Sequence, residues 1–201
     1  MTEPRVRMPA AERRAAIIDC ACRAFLRGSY RGTTTADIAR EAGVTEPILY
    51  RHFDSKCGLY LACVSEAWQH VRALWDETIA AEPDSSNWLG AMGRAYLALR
   101  DEKARIATLW LQSLAEATDD PEIRKYLRAH IREVHDYAAD VIRRAQAAGG
   151  VLPDRDPDAE AWIFIALGLL TTVDERVGNL VKEDLESVFA SRRRWMTGRD
   201  D

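Results

Sequence analysis

Apolar residues recur every three or four positions along nearly the whole chain, and that spacing predicts one helix after another. Ile17/Ile18, Ala21 and Ala24/Phe25 form the stripe of a first helix over 10–27, stopped near Gly28. A longer helix starting near Ser55 carries Leu61, Val64, Trp68, Val71, Trp75 and Ile79, and Pro83 breaks the chain after it. Ser85 or Ser86 caps a helix running to about Asp101, and another spans about 104–118. Pro121 opens a long charged helix that Gly149-Gly150 closes. A strongly apolar helix over about 157–177 and an amphipathic one over about 182–195 complete the series. No stretch alternates with period two, so the expected class is all-α.

The segment TTTADIAREAGVTEPILYRHFDSK, residues 33–56, breaks this regularity. Thr34 and Asp37 have capping-box spacing, Ile38 and Ala39 turn inward, and Gly43 supplies the positive φ of a tight bend. Thr45 takes a second N-cap, and Pro47 falls in the first turn, where its missing N–H costs nothing. Leu49 and Phe53, four apart, bury together, which leaves Tyr50, Arg51 and His52 on the other faces. A tight helix pair whose second member presents polar and aromatic side chains is a helix-turn-helix, and that second helix reads the DNA major groove.

Charge supports this placement. The chain is net −4, yet residues 1–56 hold ten Lys/Arg against seven Asp/Glu, while 57–201 hold eighteen against twenty-five. Arg5 and Arg7, ahead of the first helix, add candidate phosphate or minor-groove contacts. Cys20, Cys22, Cys57 and Cys63 show no CxxC pair and read as buried free thiols, with no metal site. The polar N-terminus has no secretory signal, and the apolar run 161–173 is shorter than the roughly 20 residues that span a bilayer. A soluble, cytoplasmic protein is expected.

Residues 33–56 resemble the signature of the TetR family of bacterial transcriptional regulators: Thr34, Ile38-Ala39, Ala42-Gly43-Val44-Thr45, Leu49-Tyr50, His52-Phe53 and Lys56 all match. The resemblance implies a three-helix DNA-binding domain at 1–56 and a larger helical effector-binding and dimerisation domain at 57–201. It places Thr35, Thr45, Tyr50, His52 and Lys56 on the phosphate backbone and Glu46, Pro47, Ile48 and Arg51 at bases or the groove, with Thr34 a further DNA-binding candidate. Glu46 departs from a purely cationic surface, although a carboxylate accepts from cytosine N4.

The family likeness further implies a homodimer on a palindromic operator and a small-molecule effector, with no cofactor. The helix containing AWIFIALGLLTTV is apolar on more than one face, which independently suggests a partner subunit. Trp162, Ile165, Leu169 and Thr172, with Leu185 and Phe189 of the last helix, are the interface candidates. Trp68, Trp75, Met92, Tyr96, Trp110, Tyr126 and His130 are candidates for a pocket holding a hydrophobic or amphipathic molecule, and each also suits an ordinary core. Gln112, His130 and His135 are the candidate polar anchors, and each also reads as a surface or structural residue. Release from DNA by the effector, hence repression, is the expected mode, though activation leaves the same sequence marks. An enzyme is disfavoured: there is no glycine-rich phosphate loop, HExxH or G-x-S-x-G, and His130 and His135 are five apart. The remaining alternative is a helical small-molecule binder without DNA-regulatory activity.

Overall fold

A computed structural model describes residues 9–99, 101–178 and 180–199. The described residues are helical, with no strand. The helices are α1 (Ala10–Arg27), α2 (Thr35–Glu41), α3 (Glu46–Tyr50), α4 (Lys56–Ala81), α5 (Trp88–Ala98), α6 (Asp101–Glu116), α7 (Pro121–Ala147), α8 (Pro157–Arg176) and α9 (Lys182–Thr197). The all-α expectation holds: a three-helix helix-turn-helix head is followed by a larger helical part.

Helix ends follow local chemistry. Thr34 Oγ1 accepts the Asp37 amide at 3.1 Å and donates to its carboxylate at 2.5 Å, so the capping residue is the expected one. After α2, Gly43 has φ +66°, and Val44 N–H donates to the Ala39 carbonyl at 2.9 Å. That is the Schellman closure a β-carbon would strain. Thr45 sits at the N-cap of α3, but its side chain makes no capping bond.

The start of α5 differs from the sequence expectation. Ser85 and Ser86 lie in a 3₁₀ turn, Ser85–Asn87, capped by Asp84, whose carboxylate accepts from the Ser86 amide at 2.9 Å. An aspartate two residues upstream takes the donor first, and Trp88 then begins α5. The helix also ends earlier, at Ala98, and α6 begins earlier, at Asp101. Asp156 caps α8 by accepting from the amides of Asp158 and Ala159.

The chain forms two compact units. The first comprises the chain through Gln69 together with Arg105–Leu127. Its core unites Ile17, Ile18, Ala21, Ala24 and Phe25 of α1, Ile38 and Ala39 of α2, Leu49 and Phe53, and Leu59, Tyr60, Cys63 and Val64 of α4. Leu109, Ile123 and Leu127 complete it. Phe25 meets Tyr60 edge-on at 5.0 Å, and Tyr60 Oη donates to the Leu109 carbonyl at 2.8 Å. Buried Leu49 and Phe53 each contribute roughly 1.5–3 kcal/mol, which is what anchors so short a helix as α3.

The second unit comprises His70–Ala104 and Arg128–Asp201. Ala138, Ala139, Ile142, Ala145, Val151, Ala161 and Met196 form one apolar cluster, with Trp88, Leu89 and Phe164 packed against it. Gly150 is required there by close approach, since a β-carbon would lie 2.3 Å from Ser85 Oγ and 2.5 Å from the Ser86 nitrogen. Among the described residues, no helix is long and apolar enough to cross a membrane.

Candidate nucleic-acid interface

The recognition surface is built on α3. Its inward side is sealed: Leu49 is fully buried and Phe53 nearly so, with the Arg14 guanidinium 5.0 Å from the Phe53 ring centre. Its outward side is open. Thr34, Thr45, Pro47, Tyr50 and Arg51 are exposed, and Thr35, Glu46, Ile48 and His52 are half-buried. All ten DNA-contact candidates except Lys56 therefore occupy α2, α3 and their immediate flanks.

Three of these side chains are bonded together. Thr35 Oγ1 donates to Glu46 Oε1 at 2.7 Å and lies 3.1 Å from Tyr50 Oη. The Thr35 hydroxyl thus fixes the Glu46 carboxylate across the α2–α3 gap and steadies the Tyr50 ring. Sequence spacing carries no sign of this link, because 35 and 46 lie on different helices. It changes how Glu46 reads, since a carboxylate held by a threonine is aimed rather than free.

Lys56 is folded back. Its ammonium lies 4.8 Å from the Tyr30 ring centre and 3.5 Å from the Arg31 carbonyl, and burial holds its pKa below the usual lysine value. Arg31 is itself clamped by two carboxylates of the same unit, Glu116 at 2.9 Å and Asp119. Both raise the Arg31 pKa, Glu116 most. Neither arginine fork nor lysine stacking has a motif that would announce it. Arg5 and Arg7 lie outside the described residues.

The pocket candidates divide between the units. In the first, Trp68 is buried while Trp110 and Tyr126 are half-buried. Gln112, half-buried there, donates to the Phe25 carbonyl at 3.5 Å and keeps a buried Oε1 with no hydrogen-bond partner. In the second, Trp75 is built into the core: its indole donates to the Met92 carbonyl at 3.0 Å, and its ring packs on Tyr137 and Phe164 at 5.8 and 5.7 Å. Met92 is fully buried, Tyr96 half-buried, and burial pushes the His130 pKa down. His135, 1% exposed, is bonded to Asp136 and to the Asp158 carbonyl. Among the described residues no group of His, Cys, Asp and Glu gathers to hold a metal.

Of the interface candidates, Trp162 and Phe189 are exposed and Ile165, Leu169 and Leu185 half-buried. Thr172 is different: it is buried within its own unit and donates to the Gly168 carbonyl at 3.1 Å. Exposed side chains that the sequence reading left out are Ile163, Leu170, Val173, Val177 and Leu180. The surplus of apolar faces on α8 is the available signal for Ile163, Leu170 and Val173, whereas Val177 and Leu180 follow its end.

A capped helix, a Schellman turn and a short helix with a sealed back and a polar front define a helix-turn-helix DNA-binding regulator. Residues 17–63 match the family model described as bacterial regulatory proteins, tetR family, and residues 85–169 match the C-terminal model of BetI-type transcriptional repressors. The HTH-type transcriptional regulator TtgR of Pseudomonas putida is 31% identical over 164 residues, spanning 75% of this chain and 76% of that protein. The chain belongs to the TetR family of transcriptional regulators, a family of DNA-binding regulators rather than enzymes. A TetR-family regulator from Rhodococcus sp. has the same fold, with TM-score 0.82 and 24% identity over 93% of this chain and 99% of that one. A transcriptional regulator from Saccharomonospora viridis, solved in complex with choline, matches with TM-score 0.68 and 25% identity over 85% and 88% of the two chains.

Proposed function

We propose that this regulator acts in the cytoplasm as a homodimeric repressor, binding a palindromic operator through α3 and leaving it when a small molecule binds the helical part. The observation that carries the DNA-binding reading is the division of α3, with Leu49 and Phe53 buried behind it and Tyr50 exposed in front. Thr34, Thr35, Thr45, Tyr50, His52 and Lys56 hold phosphates, while Glu46, Pro47, Ile48 and Arg51 face the bases. For Lys56 this requires leaving the Tyr30 ring as DNA approaches. Residues 1–56 serve as the DNA-binding domain and 57–201 as the effector and dimerisation domain, with no catalytic role.

Dimerisation is assigned to α8 and α9, where Trp162, Val173, Val177 and Phe189 stand exposed. Exposed large apolar side chains on two helices favour an interaction surface, because soluble monomers rarely leave much apolar area open to water. Two-fold pairing sets the recognition helices about one DNA turn apart, roughly 34–36 Å, or a multiple of it. The effector is hydrophobic or amphipathic, and the orphaned Gln112 Oε1 favours one carrying a hydrogen-bond donor. The choline held by the Saccharomonospora viridis protein is one small organic cation to screen first. Repression follows the C-terminal match to BetI-type repressors. Effector binding moves α4, and Lys56 and α3 at its N-terminal end move with it. A ligand that favours the released state by a few kcal/mol suffices.

The test is a gel shift on the duplex upstream of the gene, at several salt concentrations, with and without choline and a panel of amphipathic cations. Affinity is expected to fall steeply with salt and to drop on adding the effector. Salt-independent or absent duplex binding would leave a plain small-molecule binder; binding unchanged at saturation with a ligand shown to bind would remove the switch.

A further inference from the structure

α1 and α4 each bring a cysteine to one spot in the core of the first unit. Cys63 is fully buried, and its thiol donates to the Ile18 carbonyl at 3.7 Å. In an α-helix that same carbonyl takes the amide of residue 22, so the Cys63 sulfur lies against the turn of α1 that carries Cys22. The Cys22 and Cys63 thiols are close enough to perturb each other's titration, and Cys22, half-buried, packs on the apolar cluster that contains Cys63. The other cysteines are placed differently. Cys20 takes a guanidinium N–H from Arg23 at 3.1 Å, and burial pushes the Cys57 thiol up to about 12.

We propose that Cys22 and Cys63 are a peroxide-sensitive dithiol that closes to an intramolecular disulfide and weakens DNA binding.

The two sulfurs have unequal parts. Contact with Cys63 lowers the Cys22 pKa most. Burial opposes it, the Arg105 guanidinium adds to it, and Asp19 and Glu66 oppose it. Cys63 is held well above the ordinary thiol value by the neighbouring Cys22 thiol and by burial. Cys22 is therefore the nucleophile, since the thiolate is the reactive form, and Cys63 keeps its proton until needed. The Cys22 thiolate attacks one peroxide oxygen, the O–O bond breaks, and the departing hydroxide takes a proton to become water. Cys63 then attacks the sulfenic sulfur, forming S–S and breaking S–O. Its proton leaves with that oxygen as a second water. Two thiols lose two electrons, and one peroxide becomes two waters.

The DNA consequence is geometric and rests on the DNA-binding reading above. Closure draws the two sulfurs to about 2.0 Å, so α1 and α4 repack where they meet. Leu49 and Phe53 belong to the same cluster as Ile18 and Cys63, and the repacking reaches α3 through them.

The experiment treats the full-length protein with hydrogen peroxide and reads peptide mass without reductant, alongside gel shifts on the upstream duplex. The expected product is a Cys22–Cys63 cross-linked peptide about 2 Da lighter than the two thiol peptides, as loss of two hydrogens requires. It should be absent in Cys22→Ser and Cys63→Ser and retained in Cys20→Ser. Duplex affinity is expected to fall at least tenfold in the oxidised protein, to recover with dithiothreitol, and to stay unchanged in peroxide-treated Cys22→Ser. Four free thiols after treatment, or oxidation of Cys22 without cross-linking, would overturn the proposal, as would a cross-linked protein that binds duplex as before. Because the cross-link is read by mass, a reduced protein that fails to bind duplex counts against the DNA-binding reading and leaves the dithiol to stand on the mass result.

Discussion

The two compact units spend their apolar side chains differently. In the first, large residues such as Phe25, Tyr60, Ile17, Ile38, Leu49 and Ile123 are sealed inside, and among its described large apolar side chains only Tyr50 and Leu114 stand exposed. In the second, the core mixes alanines with Trp75, Ile79, Met92, Val141, Ile142 and Met196, while Trp162, Ile163, Leu170, Val173, Val177, Leu180, Phe189 and Trp195 stand at the surface. The first unit is built to hold a polar surface still. The second keeps apolar surface in reserve for something outside the described chain, and a second copy of itself is the simplest claimant.

The sharpest way to break this contrast is to damage each unit where it should be most sensitive. Phe25→Ala removes a fully buried ring stacked edge-on to Tyr60 and is expected to cost about 3–5 kcal/mol in chemical denaturation. Phe189→Ala, on the exposed side of the contrast, should leave the unfolding of a monomer nearly unchanged. A comparable loss from both would erase the distinction. Val173→Asp with Val177→Asp places charges on the exposed face of α8 and is expected to raise the dimer dissociation constant at least a hundredfold by sedimentation, with far-ultraviolet circular dichroism unchanged. A persistent dimer would move the interface elsewhere.

The head offers smaller effects. Arg51→Ala is expected to weaken duplex binding about tenfold. Lys56→Ala should lower the magnitude of the salt slope by about 1 per subunit, as loss of one phosphate contact does. Thr34→Ala removes the α2 cap and should cost about 1 kcal/mol in the same denaturation assay.

The smallest expected change is in pH dependence. Burial lowers the His130 pKa in the folded chain, so the unfolded chain binds the proton first. Stability is then full above about pH 6.5, the ordinary histidine value, and declines as the pH falls below it. His130→Gln should flatten that part of a thermal melting series measured from pH 7.5 to 5.5.

Sequence alone determined the helical class, because three-and-four spacing of apolar residues states which face of each segment is buried. It also determined the head, because a capping threonine, a turn glycine and an early proline act over a few neighbouring residues. Gly43 at φ +66° and Thr34 bonded to the Asp37 amide stand as the spacing required. Even α1 begins and ends where its stripe does, at Ala10 and Arg27. Local competition was harder to read: Asp84 rather than a serine caps the turn before α5, since several acceptors lay within reach of the same amides.

What only the tertiary structure decided are the pairings between residues distant in the chain. Thr35 holding Glu46, Lys56 lying on Tyr30, Arg31 clamped by Glu116 and Asp119, and Cys63 meeting Cys22 all join different helices or the loops between them. Periodicity says that a side chain faces inward, not which one it will meet. The same limit explains Thr172, an interface candidate on an apolar helix that the fold buries within its own unit, where its hydroxyl donates to the Gly168 carbonyl. Which face of an apolar helix is left over depends on where the other helices pack, and that is a property of the whole fold.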